Sequence, residues 1–266
     1  KPVFKLATSI YVGWMPWFLA AQNGTLQRNA EKQGIEIKFV QGDYIETIYQ
    51  FAAGGVDAVT LTNIDALALL IGSGVKTDVI LIGSYSDGND AIILRPNASL
   101  NQQKLTLGLV EFSVSHYLVD RYRELNPASD AKISLVNISD TEMAGAFAAG
   151  KSSIDGVVTW NPIALQIEQT LGGKRVFDSQ STKREISDML VVRRDTLEKH
   201  PEFARALLGT WFEIMQDIKG SKKDQTLEAL GKLSGADRDS YVKQLQSTLL
   251  MDETGIYEFN NKKYAV

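Results

Sequence analysis

Apolar positions along this chain change period repeatedly. FKLATSI and IEIKFV alternate apolar and polar residues, as half-buried strands do, while the stretches between strands repeat at helical spacing. Read in order, FKLATSI is a strand, PWFLAAQNGTLQRNAEKQG helical, IEIKFV a strand, YIETIYQFAAGG helical, VDAVTL a strand, NIDALALLIGSG helical and VILIGSY a strand. AIILR, LTLGLV, ISLVNI, IDGVVTW, KRVF and MLVVRR continue the strand series, with helical SVSHYLVDRYREL, TEMAGAFAAG and PIALQIEQTLGG among them. From Leu197 onward the pattern predicts helices only. Strands separated by helical runs of about 10–15 residues predict βαβ units, mainly parallel sheets and an α/β fold.

Local signals refine these elements. Asp43 with Glu46, and Ser139 with Glu142, have capping-box spacing. Asn161-Pro162 reads as an N-cap followed by Pro at the first helical position, and Pro16 has that same N1 role. SYSDGNDAIILRPNASLNQQ and STKREISDMLVVRR are turn-rich and lie where the chain would cross between two lobes. In such folds ligands bind beyond the carboxyl ends of strands. That rule selects Gly13–Trp17, Thr60–Asp65, Ser84–Asp90, Glu111–Ser115, Asn137–Thr141 and Thr159–Asn161.

Composition narrows the classes. With 266 residues, 44% of them hydrophobic, the chain can bury one large core or two modest ones. A net charge of −4 argues against a nucleic-acid partner, which would need a basic stripe. No apolar run reaches the roughly 18–20 residues of a membrane span, and ALALLIGSGV is short and broken by glycines. The absence of Cys excludes disulfides, thiolate metal sites and Cys nucleophiles, and the two histidines, His116 and His200, have no metal-ligand spacing. No cofactor motif is present: GGVDAV and LGGKRV are single glycine pairs, not phosphate-binding loops. The chain opens at Lys1 without Met or a leader-like segment, as expected after a processing cut.

YVGWMPW followed by a helix, AAGGVDAVTLTNIDAL, EMAGAFAAGKSSIDGVVTWNP and SDMLVVRRD, in that order, resemble the periplasmic solute-binding proteins of ABC importers. The resemblance is to the nitrate/sulfonate/taurine branch. Within it, TLTNIDAL and YSDGNDAIIL are similar to the urea-ABC-transporter-like subgroup associated with urea carboxylase. It implies a bilobal type II periplasmic-binding-protein (Venus-flytrap) fold, two α/β lobes joined by two crossover strands. One lobe would span 1–90 plus 190–266 and the other 91–189. It also implies a monomer, periplasmic or lipid-anchored outside the cytoplasmic membrane, that hands its solute to a membrane permease without chemistry. Such proteins often continue past a segment like FNNKKYAV, so a final strand or tail is expected beyond it.

GWMPW, LTNID, SDGND, VEFS, TWNP and ISDM contain no Lys or Arg but offer Asp65, Asp87, Asp90, Glu111 and Asp188. An anion would be expected to meet an Arg or several helix N-termini. Carboxylates beside aromatic faces suit a planar cation, through stacking on Trp and paired N–H···O bonds. The sequence therefore predicts guanidine or a urea-like compound, with the sulfonate, taurine or nitrate class and a pyrimidine thiamine precursor as alternatives. A thiamine-pyrimidine synthase-like enzyme is a more distant rival, because that family depends on a Cys-rich motif.

The candidate contacts are Trp14, Trp17, Tyr44, Glu46, Thr62, Asn63, Asp65, Asp90, Glu111, Phe112, Ser113, Trp160, Asn161 and Asp188. Each has a plainer role. Trp14 and Trp17 suit a core equally well. Glu46 fits a capping box, Asn63 a helix cap, and Asp65 the positive end of that helix. Asp90 sits in a turn, Glu111 suits a first helical turn, and Asp188 a crossing strand. His116, one turn into its helix, reads as structural.

Overall fold

The computed structural model describes residues 1–127, 132–150, 153–253 and 255–256. β1 (Val3–Thr8) leads through a short 3-10 turn, Val12–Trp14, into α1 (Met15–Gln22), then α2 (Thr25–Lys32) and β2 (Glu36–Gln41). Next come α3 (Tyr44–Ala52), β3 (Ala58–Thr62), α4 (Asn63–Asp65), a π-helical stretch Ala66–Leu70, α5 (Ile71–Ser73) and β4 (Thr77–Ser86). A second series holds β5 (Ala91–Leu94), β6 (Lys104–Leu109), α6 (Val114–Leu125), β7 (Lys132–Asn137), α7 (Met143–Ala148), β8 (Gly156–Thr159), α8 (Ile163–Thr170) and β9 (Lys174–Asp178). The chain closes with β10 (Ser187–Arg193), α9 (Arg194–Lys199), α10 (Pro201–Lys219), α11 (Lys223–Leu233), α12 (Arg238–Leu245), β11 (Thr248–Asp252) and β12 (Gly255–Ile256).

Two compact units result. One comprises Lys1–Tyr85 with Ser187–Val266, the other Ser86–Ile186. Among the described residues the first holds a sheet of order β12-β11-β4-β10-β3-β1-β2 and the second a sheet of order β7-β6-β8-β5-β9. Both sheets are mixed rather than mainly parallel. β1 runs parallel to β2 and β3, and β6 parallel to β7 and β8, as the βαβ spacing predicts. Antiparallel members include β10, against β3 and β4, and β5, against β8 and β9. Each of these two strands follows a crossing rather than a crossover helix, which frees its direction.

Strands buried on both faces carry near-continuous apolar runs. β3, β5 and β8 are buried at every position. In the second unit Ile92, Leu94, Leu105, Leu107, Leu109 and Val158 pack under Leu118 and Tyr122 of α6. In the first, Trp17 of α1 and Trp211 of α10 meet with ring centroids 5.4 Å apart, and the Trp211 indole N–H bonds the Met251 carbonyl at 2.8 Å.

Several local expectations are corrected. The helix expected across PWFLAAQNGTLQRNAEKQG is two helices, broken where Gly24 takes φ 81°, a conformation that glycine adopts without steric cost. Pro16 does stand in the first turn of α1. Asp43 precedes α3 without a side-chain cap bond, and the Ser139 hydroxyl donates to the Glu142 carboxylate at 3.2 Å instead of capping a backbone group. Pro162 is the cap residue of α8, not its first turn, and the Asn161–Pro162 bond is cis. The helix-only ending is also wrong: TLLMD is a strand, because its apolar run fills the sheet position beside β4. The expected tail beyond FNNKKYAV lies outside the described residues. Among the described residues no helix is long and apolar enough to cross a membrane.

A Cβ added at Gly156 would lie 2.4 Å from the Ile93 carbonyl oxygen of the paired strand. Gly156→Ala should therefore cost about 1–3 kcal/mol in denaturant unfolding, because a backbone atom cannot yield as a side chain can. An unchanged midpoint would contradict this packing.

Candidate functional site

The predicted residues gather at one edge of each sheet. In the seven-stranded unit the carboxyl end of β3 pairs with the start of β10, Asp188 opposite Thr62 and, on its other side, opposite Ser84. The Tyr44 hydroxyl, on the first residue of α3, donates to Asp65 Oδ2 at 2.5 Å and accepts the Thr62 N–H at 2.9 Å. Thr62 Oγ1 donates to the same Asp65 oxygen at 3.0 Å and caps α4 by accepting the Asp65 N–H. Burial first, and the Asp65 charge second, raise the Tyr44 pKa well above the usual phenol range, so Tyr44 stays a donor. Asp188 Oδ2 accepts from the Tyr11 hydroxyl at 2.8 Å and the Ser84 hydroxyl at 2.7 Å. Asn63 Oδ1 accepts the Ser187 N–H at 2.9 Å.

The aromatic pair separates. Trp14 packs between Tyr11 and Tyr44, at centroid distances of 4.9 and 5.6 Å, beside these carboxylates. Trp17 faces Trp211 and is 1% exposed, which makes it core rather than a ligand wall. Glu46 points out to solvent and accepts a long bond from Gln50 at 3.4 Å, so it neither caps its helix nor joins the buried group.

In the five-stranded unit, β6 and β8 end side by side and β5 begins there, with Ala91 opposite Thr159. Asp90 is buried in the turn before β5, where Oδ2 accepts from the Ser86 hydroxyl at 2.6 Å. Ser113 caps α6, accepting the Ser115 N–H at 3.1 Å and donating to the Val110 carbonyl at 2.7 Å. Glu111 and Phe112 are exposed just before it. Trp160 is buried at the end of β8. The Asn161 N–H donates to Asn89 Oδ1 at 3.0 Å, and its own Oδ1 accepts the Leu165 N–H at 3.0 Å, holding the first turn of α8.

The buried acids on which a cationic ligand would depend are thus already engaged by hydroxyl donors. Ser9 Oγ in the first unit, and Asn89 Nδ2 and Thr159 Oγ1 in the second, are buried and find no hydrogen-bond partner among the described residues. Because Asn89 Oδ1 is fixed by the Asn161 N–H, the open end of that side chain is its NH₂ donor. Leaving such a group unpaired costs about 1–3 kcal/mol, so each calls for a partner. The strand-end segments read from the sequence include Asn89 and Thr159 without naming either as a contact, and Ser9, the polar residue that closes LATS, lies outside them. Among the described residues no His, Asp or Glu cluster is arranged to hold a metal.

Two α/β units with polar clusters at their strand ends define a periplasmic-binding-protein fold, and the solved structures similar to this chain have it. The alkanesulfonate-binding protein SsuA from Xanthomonas axonopodis pv. citri, bound to MOPS, aligns with TM-score 0.77 at 14% identity over 93% of this chain and 86% of that one. The aliphatic sulphonate binding protein SsuA from Escherichia coli aligns with TM-score 0.72 at 16% identity, covering 98% and 87%. The nitrate-binding protein NrtA from Synechocystis PCC 6803 aligns with TM-score 0.67 at 13% identity, covering 97% and 76%. The sequence pattern of the NMT1-like family matches residues 4–231, and the chain belongs to that family. Its curated relatives include the taurine-binding periplasmic protein of Escherichia coli K12, 22% identical over 216 residues, 77% of this chain. The match spans 66% of that relative, just under two thirds of its length.

Tyr44→Phe removes a donor from a buried carboxylate and should destabilise the chain by about 1.5–3 kcal/mol in denaturant unfolding. Since the folded-state Tyr44 pKa is raised, its contribution is full below the ordinary tyrosine range and fades as pH rises above about 10. The variant should therefore lose less stability than the parent between about pH 9 and 11. Equal alkaline losses would show that Tyr44 is not held as described.

Proposed function

We propose that this chain is the extracytoplasmic solute-binding component of an ABC importer and that its solute is a small sulfonate. It would work in the periplasm, or anchored at the outer face of the cytoplasmic membrane, and pass the solute to a permease. The observation that carries the ligand class is the pair of buried, unpartnered donors Asn89 Nδ2 and Thr159 Oγ1 at the strand ends of the five-stranded unit. A sulfonate oxygen accepts hydrogen bonds and donates none, so it satisfies such groups. Guanidinium or urea offers further donors and would compete for acceptors that Tyr44, Ser84, Ser86 and Tyr11 already occupy. This favours the sulfonate class over guanidine and urea.

Ser9 Oγ is a third open donor, considered within the seven-stranded unit by itself. The names of the relatives support the same class: one binds taurine, and the structural neighbours bind alkanesulfonates or nitrate. The exposed Glu111 carboxylate favours a sulfonate that also carries an ammonium, and taurine is the first compound to try.

In calorimetry, taurine or ethanesulfonate should bind and guanidinium and urea should not. Thr159→Val should weaken sulfonate binding roughly fivefold to tenfold, the loss of one hydrogen bond. The same substitution should leave the unliganded melting temperature unchanged or higher, because it deletes an unpaired buried hydroxyl. Guanidinium binding without sulfonate binding would contradict the proposal.

A further inference from the structure

Phe112 is a bulky residue in the left-handed backbone region, with φ 61°, and its side chain is 60% exposed. A conformation that L residues avoid persists only where neighbours hold it, and such positions concentrate at ligand clamps. Here the holder is identifiable. The Phe112 N–H donates to His116 Nδ1 at 2.9 Å, and the two rings lie 6.2 Å apart at 32°. His116 itself is fixed in the first turn of α6, where its N–H bonds the Ser113 carbonyl at 2.9 Å. Nδ1 can accept only while it carries no proton, so the bond selects the neutral imidazole with its proton on Nε2.

We propose that His116 is a positioning residue: it holds the Phe112 ring as an apolar wall for the carbon side of the bound sulfonate. The proposal rests on the sulfonate reading above. An organic sulfonate differs from nitrate in having an alkyl face, and an exposed aromatic ring is what distinguishes the two. Ser115, in the same helical turn, bonds the Val158 carbonyl at 3.4 Å, which sets this turn against the end of β8 next to Thr159. A proton on Nδ1 converts the acceptor into a donor facing the Phe112 N–H, so the wall is released as pH falls.

Few other groups complicate that titration. α6 packs on β5 and β8, and neither Ala91–Leu94 nor Gly156–Thr159 contains a titratable residue. On the helix itself Asp120 is engaged with Arg123 at 2.9 Å, and Tyr117 and Arg121 both hold Glu185. Glu111 precedes Phe112, and its protonation would favour an anion, the opposite sign.

The test uses the whole chain, ethanesulfonate and nitrate, at about pH 8 and pH 5, a span over which neither ligand changes charge. At pH 8, His116→Ala should weaken ethanesulfonate about fivefold while leaving nitrate nearly unchanged. His116→Asn, whose Oδ1 can replace Nδ1 as acceptor, should restore affinity and remove the loss seen in the parent at pH 5. Phe112→Gly keeps the backbone conformation but lacks the ring, and should match His116→Ala. The Phe112 amide resonance, followed without ligand, should move with pH in the parent and not in His116→Asn. An amide that titrates beside ethanesulfonate affinities that ignore pH and both variants would overturn the role of the wall. Failure of every anion to bind the parent, with the amide signature intact, would overturn the sulfonate reading and the wall together while leaving the hydrogen bond standing. An amide that does not respond to pH would overturn the positioning itself.

Discussion

A polar group shut away from water has to be bonded where it lies, and among the described residues this rule governs the strand ends of both sheets. Asp65, Asp90 and Asp188 each draw hydroxyl donors from neighbouring elements, which ties α3 to α4, the turn before β5 to the end of β4, and β10 to β4. Such bonds fix the edges of the sheets, because breaking one leaves a buried carboxylate short of a donor. The same rule turns Ser9, Asn89 and Thr159 into demands on something outside the chain. Ligand preference in this account is the residue of an internal accounting of donors and acceptors.

The balance explains why charge counting along the sequence misleads here. Segments without Lys or Arg but with several acids look suited to a cation. Folded, Asp65, Asp90 and Asp188 accept from Tyr11, Tyr44, Thr62, Ser84 and Ser86, hydroxyls whose pairing no spacing rule reveals. The open groups at Ser9, Asn89 and Thr159 are neutral and can donate. An anion can be bound by neutral dipoles aimed at it, without a formal positive charge, when those dipoles are preorganised and dry.

Much of the architecture was nevertheless legible. The change of period from two to near 3.6 located β1 to β10 and most of the helices, and the strand-end rule selected the segments that hold Trp14, Thr62, Ser113 and Asn161. Three features escaped for physical reasons. The last strands are short and stand at a sheet edge beside β4, a tertiary position that local propensity does not encode. Trp14 and Trp17 sit three residues apart, and only the partner rings, Tyr44 and Trp211, separate their surroundings. The left-handed Phe112 carries no glycine or asparagine to announce it.

The most direct measurement is the NMR response of the Asn89 side-chain amide to ligand, because that NH₂ is the open donor whose orientation is fixed by a second bond. Titration with methanesulfonate should move one Asn89 amide proton downfield and saturate, with no such change under guanidinium. An Asn89 amide that is indifferent to methanesulfonate while the protein binds it, or that responds to guanidinium instead, would contradict the account.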